Sequence, residues 1–290
     1  MVALISGQNR FLTPHRVFQV FKYTIYFLLA LNIIFWFRED LAASAETFQG
    51  VIDWTNLVEA FSATVDTAAW VVLLALFELE TAIIPDEKLK GGLKWLFTGL
   101  SARCYVFIVY SFYGYCVKYG MIAIIEPFQL ADVCSLVGSD WNFIASLDDY
   151  PPLDAESCAL MQGQALFQVS GTDIIATAEM HRGAWWLAVV DIINAGTWLI
   201  VVVLLEVEVL LQIREKLTSR LMVIGKYVKG FFYLVLLGCA IYWGIEGTFL
   251  DFWDAFLWLV AFVFIELNIF QWHEETEELA AEQAAGEAVS

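Results

Sequence analysis

The chain has 290 residues, of which 60% are hydrophobic, 16% aromatic and only 17% charged, against roughly 45–50% apolar and 25% charged in a soluble domain. That balance excludes a water-soluble globule, a disordered chain, a collagen and a small disulfide scaffold, and leaves an all-α polytopic membrane protein with little soluble mass. The formal net charge of −18 argues against nucleic acid as a partner, because no basic surface displaces counterions from phosphate.

Six apolar stretches approach the ~20 residues that a helix needs to cross hydrocarbon. They run over residues 17–37, 66–84, 102–125, 185–213, 230–245 and 251–272. None alternates with period two, which disfavours an outer-membrane barrel. Helices are expected because hydrocarbon leaves open backbone groups unsatisfied.

Basic residues set the direction. Arg10, Arg16 and Lys22 lie at the first span, and Lys88, Lys90, Lys94 and Arg103 between the second and third or at the entry to the third. Arg214, Lys216, Arg220, Lys226 and Lys229 lie between the fourth and fifth. Only Arg38, Lys118 and Arg182 fall on or towards the other side. The positive-inside rule places both termini in the cytoplasm, with a bacterial inner membrane as the expected location. Ala43-Ser44-Ala45 has the form of a signal-peptidase site. The preceding apolar core is longer than a signal peptide's, however, and Arg38-Glu39-Asp40 intervenes, so the first span is expected to be retained.

Val51, Trp54, Leu57, Val58 and Phe61 stand at helical spacing and predict an amphipathic helix on the outer surface or over the bundle. The segment 126–183 is acidic, carries Pro151 and Pro152, and is too long for a simple connection, so it is expected to fold as an extracytoplasmic cap. Cys134 and Cys158 both lie in it and are expected to pair as a disulfide on an oxidising side. Cys104, Cys116 and Cys239 fall in spans and read as small apolar residues. Residues 273–290 carry six Glu and form an acidic cytoplasmic tail, read as solvated or frayed helix.

The even-numbered spans share a pattern. Asp66, Trp70, Glu78 and Glu80 recur at identical gaps as Asn194, Trp198, Glu206 and Glu208, and again as Asp254, Trp258, Glu266 and Asn268. Each odd-numbered span carries a base near its cytoplasmic entry, Lys22, Arg103 or Lys229. The chain therefore reads as three similar helical hairpins of one orientation, related by a pseudo-threefold axis along the membrane normal. Unlike inverted-repeat transporters, such a layout has no axis in the membrane plane. At ~100° per residue, Asp66, Trp70 and Glu80 share a broad stripe, whereas Glu78 sits about 120° away from Asp66.

A carboxylate within the bilayer costs at least ~2.5–3.5 kcal/mol. Protonation, pairing with Lys or Arg, and a bound cation or water path are the three remedies. The bases that open the odd spans are the pairing candidates. The functional reading takes Glu78, Glu80, Glu206, Glu208, Glu266 and Asn268 as a cation pathway, with Asp191, Asn194 and Asp254 recruiting cations nearer the outside. Asp66 and Asp251 fit helix N-capping, and Trp70, Trp198 and Trp258 fit interfacial anchors better than a cation–π ring.

No span holds a His. No H-E-x-x-H, G-x-S-x-G, P-loop or G-x-G-x-x-G occurs, and neither a K⁺-channel filter nor a voltage-sensor repeat. The expected function is therefore non-enzymatic: a channel, transporter or sensor of cations, with no cofactor beyond a cation of unknown identity. The alternative is a non-transporting scaffold or accessory subunit of a larger membrane complex. Expected partners are the lipid bilayer and either a second copy or other membrane subunits.

Overall fold

The computed structural model describes residues 14–47, 52–53, 57–84, 90–213 and 218–264. The protein is mostly helical, and four of its helices are long and apolar enough to cross a membrane. Helix α1 covers Pro14–Thr47, and a single turn, α2, covers Leu57–Ala60. Helix α3 covers Ser62–Glu78 and widens into a π-helical turn over Leu79–Ile83. Helices α4 (Gly92–Ala123), α6 (Ala178–Ile213) and α7 (Ser219–Glu246) come next, with the short helix α5 (Ala155–Met161) between the first two. A last helix, α8, is described over 249–264. The membrane-length helices are α1, α4, α6 and α7.

Several helices outrun the apolar stretches that announce them. Helix α1 continues to Thr47 rather than 37, α4 starts at Gly92 rather than 102, and α7 starts at Ser219 rather than 230. Hydropathy marks only the part of a helix that suits hydrocarbon, and polar turns extend it at either end. In α1 the continuation has a tertiary reason. The Asp40 carboxylate accepts from Thr64 N at 2.9 Å and Thr64 Oγ1 at 2.6 Å, so one helix caps the open N–H groups of the next. Of the amphipathic stretch expected around Trp54, residues 51 and 54–56 lie outside the described residues. Phe61 stacks on Phe37 of α1 at 5.5 Å between ring centroids.

The helices pack in sequence order, α1 on α3, α3 on α4, α4 on α6 and α6 on α7. Gly196 of α6 admits Phe112 of α4, whose ring would stand 3.4 Å from an added Cβ. Small residues serve this close approach in membranes, where lipid offers no hydrophobic penalty to drive helices together.

Between α4 and α6 the chain forms a cap. Strands β1 (Ile125–Phe128), β2 (Asn142–Phe143), β3 (Leu166–Val169) and β4 (Ile174–Thr177) make one sheet in the order β1-β3-β4-β2. Strand β3 is antiparallel to both neighbours, with Ile125 opposite Val169 and Leu166 opposite Thr177, whereas β2 runs parallel to β4. The β3–β4 hairpin turns at Gly171, whose φ of 80° suits the residue without a Cβ. Cys134 and Cys158 are joined in a disulfide, closing a loop with a sequence separation of 24. By loop entropy alone such a crosslink contributes about 3 kcal/mol to the folded cap.

The cap is seated on the helix ends. Ile144, Leu147, Tyr150, Val169 and Ile174 share one buried cluster with Ala184 and Leu187 of α6 and Ala240 and Trp243 of α7. His181 Nε2 bonds the Ile122 carbonyl at 2.8 Å, tying the start of α6 to the end of α4. Asn142 donates to the Glu46 carboxylate, tying β2 to α1.

Asp154 caps α5. Its carboxylate accepts from Glu156 N at 3.0 Å, Ser157 N at 2.8 Å and Ser157 Oγ at 2.7 Å. The Ser157 bonds hold its carboxyl below the ordinary carboxylate range. A depressed folded value gives a stabilisation that is complete above the unfolded value near ~3.9 and lost as pH falls through the folded one. Hydrogen exchange over α5, corrected for intrinsic rate, should therefore show constant protection at neutral pH and loss of protection in strong acid. Asp154→Ala should show weaker protection with no such acid step; an unchanged profile in that variant would remove the capping role.

Candidate functional site

Along α3 the residues Asp66, Trp70, Leu74 and Glu78 succeed one another at four-residue steps. Each step advances about 40° around the helix. The row therefore winds from the centre of the bundle near the cap to the face that meets α1. Asp66 and Trp70 line a central cavity, whereas Glu78 turns to Lys22 of α1.

The cavity has a volume of about 70 Å³, room for a few water molecules. Asp66 on α3, Asp191 and Asn194 on α6 and Asp254 on α8 line it, as do Asp251 at the start of α8 and Asp148 from the cap. Lys118 of α4 is the one basic side chain among the lining residues. Five carboxyl groups thus face a single ammonium.

Their surroundings differ. Asp148 Oδ1 pairs with Lys118 Nζ at 2.8 Å. Asp254 Oδ1 accepts from Asn32 Nδ2 of α1 at 2.7 Å, and Asn32 is only 1% exposed. Asp251 Oδ2 accepts from Thr248 N at 2.8 Å and Thr248 Oγ1 at 2.9 Å, while Asp251 N donates to Thr248 Oγ1 at 3.3 Å. This reciprocal pair caps α8. Asp66 does not cap α3, since Asp40 supplies that bond; it lies instead within reach of the Trp70 indole and the Tyr115 hydroxyl. Asp191 lies within reach of the Trp243 indole. Neutral donors of this kind hold a carboxyl in place but bring no compensating charge.

The floor of the cavity is aromatic. The Trp70 ring lies 6.2 Å from those of both Trp198 and Trp258, and Phe262 packs on Trp198 at 4.3 Å. All four rings are buried. The three tryptophans do not act as lipid-facing anchors, because their helical positions turn them into the bundle axis. With Leu74, Val201, Leu257 and Ala261 they form a packed apolar layer below the aspartates.

Beyond this layer lie the glutamates. Lys22 Nζ meets Glu78 Oε1 at 2.6 Å, with Lys22 5% and Glu78 3% exposed. Tyr23 donates to the same oxygen at 3.0 Å, and the Lys22 ammonium stands 5.2 Å from the Tyr23 ring centroid. Lys229 Nζ pairs with Glu208 Oε2 at 2.8 Å, and Tyr105 donates to Glu206 Oε1 at 2.9 Å. Glu80, on the π turn, lies in electrostatic range of Lys94 and Glu206. Glu266 and Asn268 lie outside the described residues. The structure thus brings Asp191, Asn194 and Asp254 together at one cavity and places Glu78, Glu80, Glu206 and Glu208 in a separate layer.

Sequence reading missed Asp148, Tyr115 and Trp243 as cavity residues and Asn32 as the donor to Asp254, and treated Lys118 only as an exception to the charge rule. For Lys118 the signal was present: it is a lone ammonium inside an apolar stretch. Among the described residues no three His, Cys, Asp or Glu side chains converge closely enough to hold one metal ion. The chain matches no known protein family, no characterised protein and no solved structure at a significant level.

Removing one partner of a buried ion pair leaves the other uncompensated and costs about 3–5 kcal/mol, whereas replacing both with apolar residues is near neutral. Lys22→Met should therefore lower the thermal midpoint of the detergent-solubilised protein sharply, as read by tryptophan fluorescence. Lys22→Met combined with Glu78→Leu should restore most of the loss; a double variant as weak as the single would show that the pair does not matter.

Proposed function

We propose that this chain handles cations in a membrane, taking them up from the cap side into the aspartate cavity and exchanging them with the glutamate layer beyond the aromatic floor. The carrying observation is charge imbalance in a confined space. Five carboxyl groups and one ammonium surround a volume of about 70 Å³. Several carboxylates at such proximity require bound protons or cations to coexist. A volume of this size suits a proton or a small monovalent ion with its water as the cargo.

On this reading α3 and α8 complete a set of six spans, arranged as three hairpins about a pseudo-threefold axis. Support comes from equivalence in space: Asp66, Asn194 and Asp254 border one cavity, and Trp70, Trp198 and Trp258 meet beneath it. The charge bias of the loops supports an extracytoplasmic cap and cytoplasmic termini. Glu80, Glu206 and Glu208, with Glu266 and Asn268 at matched sequence offsets, then supply the cytoplasmic acidic layer.

A second reading, a scaffold or accessory subunit, is favoured by one observation. Glu78 and Glu208 are each committed to a lysine and Glu206 to a tyrosine, as packing alone would require.

Flux separates the two. Purified protein in liposomes should carry protons, Na⁺ or K⁺ down an imposed gradient, read with a trapped pH dye or ion-sensitive dye. Asp191→Asn with Asp254→Asn should reduce that flux roughly tenfold or more, equivalent to at least ~1.4 kcal/mol on the barrier, without changing the thermal midpoint by more than a few degrees. Flux no greater than that of empty vesicles in the unaltered protein would reject cation handling and leave the scaffold.

A further inference from the structure

The cap does more than lie on the helix ends. Its segment Ser146–Asp149 is a tight turn, in which Ala145 N and Ser146 N both donate to the Asp149 carbonyl, at 3.0 and 3.3 Å. The Tyr150 hydroxyl donates back to the Leu147 carbonyl and locks the tip. Leu147 and Tyr150 are buried in the cluster shared with α6 and α7. The tip is therefore inserted into the bundle, and it carries Asp148 with it.

Asp148 borders three separate spaces. One is the central aspartate cavity. The second is a side pocket of about 60 Å³ between α1, α2 and α4, which also holds Asp40 and Lys118. The third is a vestibule of about 660 Å³ between the outer part of α1, the cap and the α7–α8 turn, bordered by Arg38, Glu39 and Trp253. The vestibule is almost ten times the volume of the cavity (660 against 70 Å³), and among the described residues Asp148 is the one that lines both.

The partner of Asp148 is equally well placed. Lys118 borders both the cavity and the side pocket, and its side chain and that of Asp148 are only 12% and 18% exposed. Its ammonium also lies in electrostatic range of Asp40 on α1 and Asp191 on α6. A lysine on a flexible four-carbon stem can exchange one carboxylate for another and keep its own charge paired, the released carboxylate then depending on water or a proton. Asp148 contacts Lys118 directly, and Arg38 borders the same vestibule.

We propose that the Lys118–Asp148 ion pair is the gate between the vestibule and the aspartate cavity, with Asp148 the latch that the cap contributes and Lys118 the bolt that also reaches Asp191. Closed, the pair fills the shared wall with a neutralised contact. Open, Lys118 turns to Asp40 or Asp191 and Asp148 is freed to leave with the tip. The proposal rests on the cavity being a cation site, but its test does not depend on flux.

Ala195 lines the cavity and is buried. Ala195→Cys in the full chain, reconstituted in liposomes, offers a target for the membrane-impermeant cationic thiol reagent MTSET. Modification is read by mass spectrometry of the peptide that carries this position, so the native cysteines do not interfere. Asp148→Asn in this background should speed modification roughly tenfold or more. The exchanged pair Lys118→Asp with Asp148→Lys should return it to the slow rate. Should Asp148→Asn fail to fold, Lys118→Met breaks the same contact from the other side and should give the same acceleration. Unchanged modification in a folded variant lacking the pair overturns the gate. Accelerated modification in a protein that carries no flux sustains the gate as a barrier to the cavity while rejecting the cation reading; flux with unaltered accessibility does the reverse.

Discussion

A carboxylate removed from water must obtain a cation, hydrogen-bond donors or a proton, and the bundle depends on how that demand is met at each level. At the end away from the cap it is met by pairing. Lys22 answers Glu78 and Lys229 answers Glu208, each with a base from a neighbouring helix. These contacts fix α1 against α3 and α6 against α7 at depths where a lone charge would be expelled. Near the cap it is met only in part. Asp148 has Lys118, Asp251 has the Thr248 cap and Asp254 has Asn32, while Asp66 and Asp191 face neutral aromatic donors. Among the described residues the far end pairs Glu78 and Glu208 with lysines, while the cap end sets five carboxyl groups against one ammonium, which makes the cap end the one with the larger unmet demand for positive charge.

The aromatic layer makes this difference usable. Trp70, Trp198, Trp258 and Phe262 are rigid, large and buried, and they separate the two acidic levels. The layer places no polar side chain between the levels, so the ion pairs and hydrogen bonds of each acidic set are made within its own level. The π turn after Glu78 belongs to the same design. Glu80 lies about 160° around the helix from Glu78 and is in electrostatic range of Lys94 and Glu206, away from the Lys22 pair.

Periodic features were legible in the sequence, and contacts between distant segments were not. The apolar stretches marked the membrane-length helices, and the common spacing of Asp66, Asn194 and Asp254 marked residues that meet at one cavity. Both result from a fixed helical pitch. The Cys134–Cys158 crosslink was legible because two cysteines share one loop. The β3–β4 hairpin left a compositional signal: two short apolar runs flank Ser170-Gly171-Thr172-Asp173, a turn composition. Strand β2, only two residues long and parallel to β4, left none. The continuation of α1 through Arg38-Glu39-Asp40 looked like a terminus because its reason, the cap on Thr64, lies in another helix. Asp148 was hidden for the same reason: its partner is 30 residues away in a different element.

The departures from the common spacing carry as much meaning as the spacing itself. Lys22 takes the first acid of its motif and Lys229 the second of another, so the pairing layer is not a symmetric ring. At the cavity, Asn194 stands where the other two motifs have Asp, while Asp191 adds a carboxyl one turn earlier on the same helix. Lys118 comes from α4 alone. A cage of three identical positions offers a cation three equal sites and no preferred approach. With Asn194 in place of an Asp, α6 keeps one cavity carboxyl, Asp191, beside the Lys118 ammonium, whereas α8 presents two, Asp251 and Asp254. The larger acidic share therefore lies on α8, whose first turns (Phe249, Leu250 and Trp253) also border the vestibule, so the asymmetry of the sequence and the position of the vestibule define the same face of the cavity.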